Sequence, residues 1–385
     1  REVAAELISE FISLLNIFAL YTDEGSECIL IDSSKPNAHI TILDDIYSLK
    51  EKVYKTQKEM FLKTLNGRLT GNANEVYSEN MIDNVLATIN DSDDKQTITS
   101  MIMAQKRKYY TINEPKELLE YINSQLKPKL KEKQENGEVF TPLPLVKEML
   151  DKLDEAYKQE HGESIFTNKS LTWFDPAVGI GNFPIIVYQR LMIGLTTAIP
   201  DEEERRKHIL EEMLYMSELL TKNVFICRKI FCGDKYELKL YQGDTLKMDP
   251  KKEWGIDKFD VIIGNPPYNA GQENEGKRGG GDSLWPKFVI KCIDILRSKG
   301  YLLFVHPAAW RKPESEKTKT NGLFNLMAHD NHIHYLEIHN SNDGMKTFTA
   351  GTRYDWYVLQ KIKNNSNTNV KDELGKVHSV NMIDW

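Results

Sequence analysis

The sequence predicts an α/β fold: a doubly wound, Rossmann-like sheet of seven strands preceded by a mainly helical region. Three observations carry this. Beyond residue 138 short apolar runs alternate with helical stretches, the sequence form of a mostly parallel sheet covered on both faces. Glycine, proline or an acid stands directly after several of those runs, where doubly wound sheets bind ligands. At 385 residues the chain also exceeds one compact domain.

Residues 1–134 form the mainly helical N-terminal region of unknown role, with strand signal only at 28–31 and 39–43. One helix is explicit: Asn113 can cap it, Pro115 suits its first turn, and Leu118, Leu119, Ile122 and Leu126 make one apolar stripe. Lys127, Lys129, Lys131 and Lys133 then read as a solvated linker. Residues 135–365 are the α/β domain, with strands expected at 171–174, 214–216, 238–241, 259–263, 301–305, 334–338 and 356–359. Residues 366–385 read as the start of a truncated C-terminal region. Arg1 is preceded by no initiator methionine or signal sequence, so the expectation is a piece of something longer.

The charged share of 28% and apolar share of 40% describe a globular chain, and no apolar run approaches a membrane span. Cys28, Cys227, Cys232 and Cys292 are too scattered for a disulfide framework, which fits a reducing, cytoplasmic setting. The C-x4-C pair Cys227/Cys232 lacks a second pair at zinc spacing and reads as packing. A net charge of −7 argues against nonspecific coating of nucleic acid but leaves room for a local basic face.

The first strand runs into Asp175-Pro176-Ala177-Val178-Gly179-Ile180-Gly181-Asn182-Phe183-Pro184. Two glycines permit a tight turn and close approach to a ligand, and Pro184 suits the first turn of the next helix. A dinucleotide fingerprint needs a third glycine where Pro184 stands, which disfavours NAD. The second strand ends at Glu218, whose carboxylate can accept from two ribose hydroxyls; the third ends at Gly243-Asp244, an acid placed to accept from an adenine amino group. Each acid alone is an ordinary turn residue, and their repetition at successive strand ends gives them weight.

The fourth strand is followed by Gly264-Asn265-Pro266-Pro267-Tyr268. The prolines fix the backbone, so the Asn265 side-chain carbonyl and the Pro266 backbone carbonyl can both accept from one NH2 group without any titratable base. Tyr268 offers a face for a planar base, worth about 1–3 kcal/mol in nucleic-acid binders. N-P-P alone is a turn; after a strand and downstream of a glycine turn it points to amino-group chemistry.

With Gly137-Glu138-Val139-Phe140-Thr141-Pro142 ahead of them, these motifs resemble those of amino-group DNA methyltransferases in the gamma order of N6-adenine enzymes, as found in restriction-modification systems, phages and large DNA viruses. The resemblance covers roughly residues 137–361 and implies S-adenosyl-L-methionine as cofactor. It implies further that Phe140 and Thr141 meet the methionine end, that Asp175, Ala177, Gly179 and Gly181 shape the pocket, and that Glu218 holds the ribose and Asp244 the adenine. Asn265, Pro266, Pro267 and Tyr268 would hold the target base, with Asn265 also bordering the cofactor. The implied partners are double-stranded DNA with the adenine flipped out and a separate specificity or nuclease domain or subunit. The family's sheet ends in an antiparallel strand, expected at 353–359.

Two departures stand out. The charged stretch 200–207 lengthens the path to Glu218 and reads as a surface helical insertion, and few residues follow the last strand where gamma enzymes carry target recognition. The basic, glycine-rich run 269–282 and the run 311–319 each read equally as phosphate clamp or surface loop. His332, His334 and His339 do not share one strand face, so no metal site is expected. The competing functions are a methylase part of a fused restriction-modification enzyme, methylation of protein glutamine or RNA by the same loop, a nuclease fragment around 27–35, and a noncatalytic cofactor-binding scaffold.

Overall fold

The computed structural model describes residues 140–384 except 232–234, 269–282, 312–319 and 321, together with scattered positions between 7 and 91. The chain divides into two compact units, Arg1–Thr111 and Ile112–Trp385. In the first, the helix Glu79–Asp91 buries Ile82 and Leu86, four residues apart on one face. Phe11 and Phe61 meet there edge to face, 5.3 Å between ring centroids. The expected strands at 28–31 and 39–43, the helix over 113–126, the lysine run and residues 137–139 lie outside the described residues.

The second unit opens with helix α1 (Leu143–His161), whose Leu143, Val146, Met149, Leu150, Leu153, Ala156 and Tyr157 follow a 3.6-residue period and are buried. The strands follow: β1 (Trp173–Asp175), β2 (Leu214–Glu218), β3 (Lys239–Gln242), β4 (Phe259–Gly264), β5 (Leu296–Pro307), β6 (His332–His339) and β7 (Tyr354–Gln360). Each of the seven expected strands is present. Helix α2 (Asn182–Gly194) packs against α1 and is apolar almost all round, consistent with its burial. The charged stretch becomes helix α3 (Glu202–His208), capped by the Asp201 side chain on the Glu204 amide. Helices α4 (Thr221–Ile230), α5 (Pro250–Trp254), α6 (Trp285–Ile295) and α7 (Ser341–Phe348) complete the cover.

The strands lie in the order β3-β2-β1-β4-β5-β7-β6, continued by β8 (Thr368–Lys371) and β9 (Val377–Val380). From β3 to β5 all pairs are parallel, and β7 slots antiparallel between β5 and β6. Every residue of β7 is buried, as a central strand covered on both faces requires. The core on one face gathers Phe174, Phe259, Trp285, Trp310 and Tyr357, each worth roughly 1.5–3 kcal/mol on full burial.

The sheet has nine strands where seven are expected. β8 (Thr368–Lys371) pairs parallel to β6, and β9 (Val377–Val380) pairs antiparallel to β8. Their sequences, TNVK and VHSV, are short and half polar, so no apolar alternation announces them. They extend the edge of the sheet remote from β1.

Strand order reverses at β1: the chain runs outward to β2 and β3 on one side, and to β4 and β5 on the other. A crevice therefore opens beyond the carboxyl ends of β1 and β4, the switch point at which doubly wound sheets bind ligands. Both the glycine turn and the Asn265–Tyr268 loop leave from that point.

Candidate active site

The turn after β1 is held by its own backbone and by side chains from three elements. Gly179 (φ +56°) and Gly181 (φ +98°) adopt left-handed conformations. The Phe140 ring lies over Gly179, where an added Cβ would sit 3.4 Å from it. Beneath, Cys227 on α4 points its thiol at the Gly179 carbonyl (3.3 Å). Cys227 is thus a buried packing residue, as expected, while Cys28 and Cys232 lie outside the described residues.

Asp175, the last residue of β1, is fully buried. One carboxylate oxygen accepts the Ala177 amide (3.0 Å), and the other has no hydrogen-bond partner among the described residues. Gly264, ending β4, lies against it: a Cβ there would come within 2.9 Å of the Asp175 carboxylate, and its φ of +152° admits only glycine comfortably. The glycine before the Asn-Pro-Pro loop is therefore there to make room for the acid of the neighbouring strand. Burial, with the Glu218 charge adding to it, pushes the Asp175 carboxyl up to about 8.

A carboxyl whose pKa rises on folding stabilises the fold below its ordinary value, and that stability is lost as pH climbs through the raised one. The ligand-free protein is expected to lose stability between about pH 4 and 8 through Asp175. Asp175→Asn should flatten that decline and raise the melting temperature at pH 7.5 by roughly 2–4 °C per kcal/mol gained. Thermal melts of both proteins across pH check this, and parallel curves would refute it.

At the end of β2 the buried Glu218 carboxylate accepts two backbone amides, Gly179 (2.8 Å) through one oxygen and Leu220 (2.8 Å) through the other. It ties the glycine turn to the neighbouring strand. Leu219 beside it is 62% exposed, an apolar side chain displayed at the crevice rim that the motif reading missed. Thr245 donates its one hydroxyl proton to the Pro176 carbonyl (2.6 Å) and accepts from Ser217 (2.6 Å), so three strand ends are stitched together. Asp244 is more open: it accepts the Leu246 amide (3.0 Å) in a turn and pairs with Lys247 (3.2 Å).

The loop after β4 meets the segment before α1. The Asn265 side-chain amide donates to the Thr141 hydroxyl (3.1 Å), and the Asn182 side-chain amide donates to the Thr141 carbonyl (2.7 Å). Thr141 and Asn182 are both buried. Pro266 is buried, and the Tyr268 carbonyl accepts the Leu284 amide (3.0 Å), drawing the two ends of 269–282 together. Burial holds the Tyr268 phenol protonated well above its usual range. The motifs at 140–142, 175–184 and 264–268, far apart in sequence, thus converge on one crevice.

Residues 195–344 match the Eco57I restriction-modification methylase family. The matched stretch runs from before β2 to α7 and contains the Asn265–Tyr268 loop. An uncharacterised adenine-specific methylase of Mycoplasma pneumoniae is 27% identical over 242 residues, 46% of this chain and 56% of that protein. The modification methylase CviBIII of Paramecium bursaria Chlorella virus NC1A is 34% identical over 88 residues, 22% of this chain and 21% of its own. The chain thus spans about half the length of the first relative and a fifth of the second. Among solved structures, a Listeria monocytogenes protein assigned to the class I S-adenosylmethionine-dependent methyltransferases superposes with a TM-score of 0.51 at 14% identity, covering 95% of this chain and 93% of its own. A chain of a type I restriction-modification assembly gives 0.54 at 11% identity, covering 96% and 72%. The fold is that of the class I methyltransferases, and over these stretches the sequence is similar to adenine-specific modification methylases.

Away from the crevice, His332 bonds Asn364 (2.8 Å) and His334 bonds Gln360 (2.9 Å), while His339 stacks on Tyr354 at the other end of β6. Among the described residues no group of three or more His, Cys, Asp or Glu side chains is placed to hold a metal, and no helix is long and apolar enough to cross a membrane. Arg311 is held by the buried Asp355 (2.7 and 3.2 Å). The runs 269–282 and 312–319 lie outside the described residues.

Proposed function

We propose that this chain is an S-adenosylmethionine-dependent DNA methyltransferase that methylates the N6 amino group of adenine. The observation that carries the reading is the joining of Asn265 to Thr141 across the switch-point crevice, beside the glycine turn. The residues fit such a cofactor: a buried carboxylate oxygen of Asp175 without a partner among the described residues and a second buried carboxylate at Glu218 make a site that favours a cationic ligand. Bound there, the cofactor supplies an electrophilic methyl group.

The chain's own part is to hold and prepare the acceptor. Asn265 and the Pro266 carbonyl accept hydrogen bonds from the two N–H groups of the amino group, which draws its nitrogen toward a pyramidal form with an available lone pair. Phe140, Thr141, Asp175, Ala177, Gly179, Gly181 and Glu218 would border the cofactor, with Asp244 and Leu219 toward its adenine. Tyr268 and Pro267 wall the base, which must leave the duplex to reach the crevice. A type ISP restriction-modification enzyme bound to DNA, which shares this fold at 14% identity, supports DNA as the partner and leaves room for a further specificity or nuclease domain or subunit. Nucleoside digestion and mass spectrometry after incubation with DNA and cofactor should find N6-methyladenine. N4-methylcytosine, or methylated protein or RNA in place of DNA, would overturn the reading.

A further inference from the structure

We propose that Arg311 binds a backbone phosphate of the substrate DNA, and that Asp355 holds its guanidinium in the attitude this needs. The inference rests on the proposed function and deepens it, because it names a contact to the nucleic acid outside the base and cofactor sites. β5 runs beside β4, with Phe304 opposite Gly264, and continues past that level to Pro307. A single helical turn, Ala308–Arg311, follows at once, so Arg311 stands at the same end of the sheet as the Asn265–Tyr268 loop. The glycine turn and Glu218 leave from β1 and β2, on the other side of β4, which sets Arg311 apart from the residues assigned to the cofactor.

Asp355 is the one charged residue of β7, whose other members are aromatic, aliphatic or amide, and it lies opposite His306 of β5 and Ile338 of β6. Its side chain is fully buried, and its oxygens take the Trp310 indole N–H (2.9 Å), the Arg311 Nε–H (2.7 Å) and an Arg311 Nη2–H (3.2 Å). A buried ion pair is a poor source of stability, since apolar residues of similar volume often do as well or better; what this one supplies is orientation. Two bonds to one carboxylate fix the guanidinium plane. They use Nε and one proton of Nη2, which leaves Nη1 and the second Nη2 proton as an edge outside the pair, on a side chain that is 21% exposed. A flat edge with two N–H donors matches a phosphate, and its fixed attitude lowers the entropy cost of aiming it. Phosphate contacts set the register of a protein on the duplex, and an enzyme that turns one base out must hold the backbone beside it.

The test is the salt dependence of DNA affinity, read by fluorescence anisotropy on the 385-residue chain with a random-sequence duplex. Arg311→Gln alone leaves the Asp355 charge buried without its partner, so Arg311→Gln/Asp355→Asn is the main variant. It removes both charges, leaves the net charge unchanged, and its thermal melt certifies the fold. At low salt it should bind DNA about tenfold more weakly, the share of one charge-assisted contact. The slope of log Kd against log salt should fall by up to about 0.9, the share of one phosphate. Duplexes of different sequence should be weakened alike, since phosphates carry no base information. Arg311→Lys keeps a charge without the fork and should fall between. Lys363→Gln deletes an exposed lysine, paired with Asp330 beyond the opposite end of β7, and should leave the slope unchanged. A double-variant slope equal to the wild type's, or lost affinity for S-adenosylmethionine in place of DNA, would overturn the proposal. A wild-type chain with no salt-dependent affinity for DNA would sink the proposed function and this contact together, and that outcome is plain before any variant is compared.

Discussion

Replacing Glu218 by alanine is expected to weaken S-adenosylmethionine binding by about a hundredfold, while Asp244→Ala costs tenfold or less. The difference follows from how the two acids are held. Glu218 is buried and spends both carboxylate oxygens on backbone amides, Gly179 and Leu220, so it shapes the pocket as well as bordering it. Its loss strands two amides, one of them within the glycine turn, at about 1–3 kcal/mol for each buried group left unsatisfied. It also removes the negative charge that Glu218 offers a cationic ligand. Asp244 is 38% exposed at its side chain and already engaged by Lys247, where solvent screens the interaction. Glu218→Gln should fall between, because it keeps acceptors without the charge. Titration calorimetry on the three variants orders them, and equal losses for Glu218→Ala and Asp244→Ala would show that strand-end position alone decides.

How far these sites are legible in sequence depends on what kind of information each needs. The glycine turn and the Asn-Pro-Pro-Tyr loop are local: glycines at positive φ, prolines that fix neighbours, and a preceding apolar strand are all written within ten residues. All seven expected strands are present for the same reason, since each is an apolar run. β8 and β9 escape because an edge hairpin needs little apolar content, and TNVK and VHSV have little. The partners of Asp175 are harder still. That Gly264 exists to accommodate a carboxylate from another strand depends on the β1–β4 register, which no spacing within either segment encodes. Thr141 is the sharpest case. The resemblance places it at the cofactor, but its hydroxyl meets Asn265, 124 positions along the chain. The signal that was present, an Asn directly after Gly181, gains meaning only when α2 is seen to start beside residue 141.

Asn265→Ala is expected to abolish methyl transfer, by a factor of a thousand or more, with the Kd for S-adenosylmethionine changed little. The asymmetry comes from the division of the crevice. Gly179 is contacted by Phe140, Glu218 and Cys227, whereas the Asn265 side chain reaches the turn at second hand, through Thr141 and Asn182. Removing that side chain takes away one of two acceptors for the substrate amino group and leaves the Pro266 carbonyl alone to hold it. Preorganised polar groups of this kind are worth about 10²–10³ in rate when lost singly, and the alanine also frees the Thr141 hydroxyl into the site. Tyr268 should behave differently, because its contribution is the ring: the base must give up a few kcal/mol of stacking and pairing to leave the duplex, and an aromatic face returns about 1–3 kcal/mol of it. Tyr268→Ala should therefore be impaired by about tenfold or more, and Tyr268→Phe and Tyr268→Trp much less. The phenol offers no competing chemistry, since burial keeps it protonated throughout the working range. Single-turnover rates on DNA, measured beside cofactor titrations, separate the two residues. A Tyr268→Phe variant as poor as Tyr268→Ala would assign the role to the hydroxyl, and an active Asn265→Ala would remove the loop from the chemistry altogether.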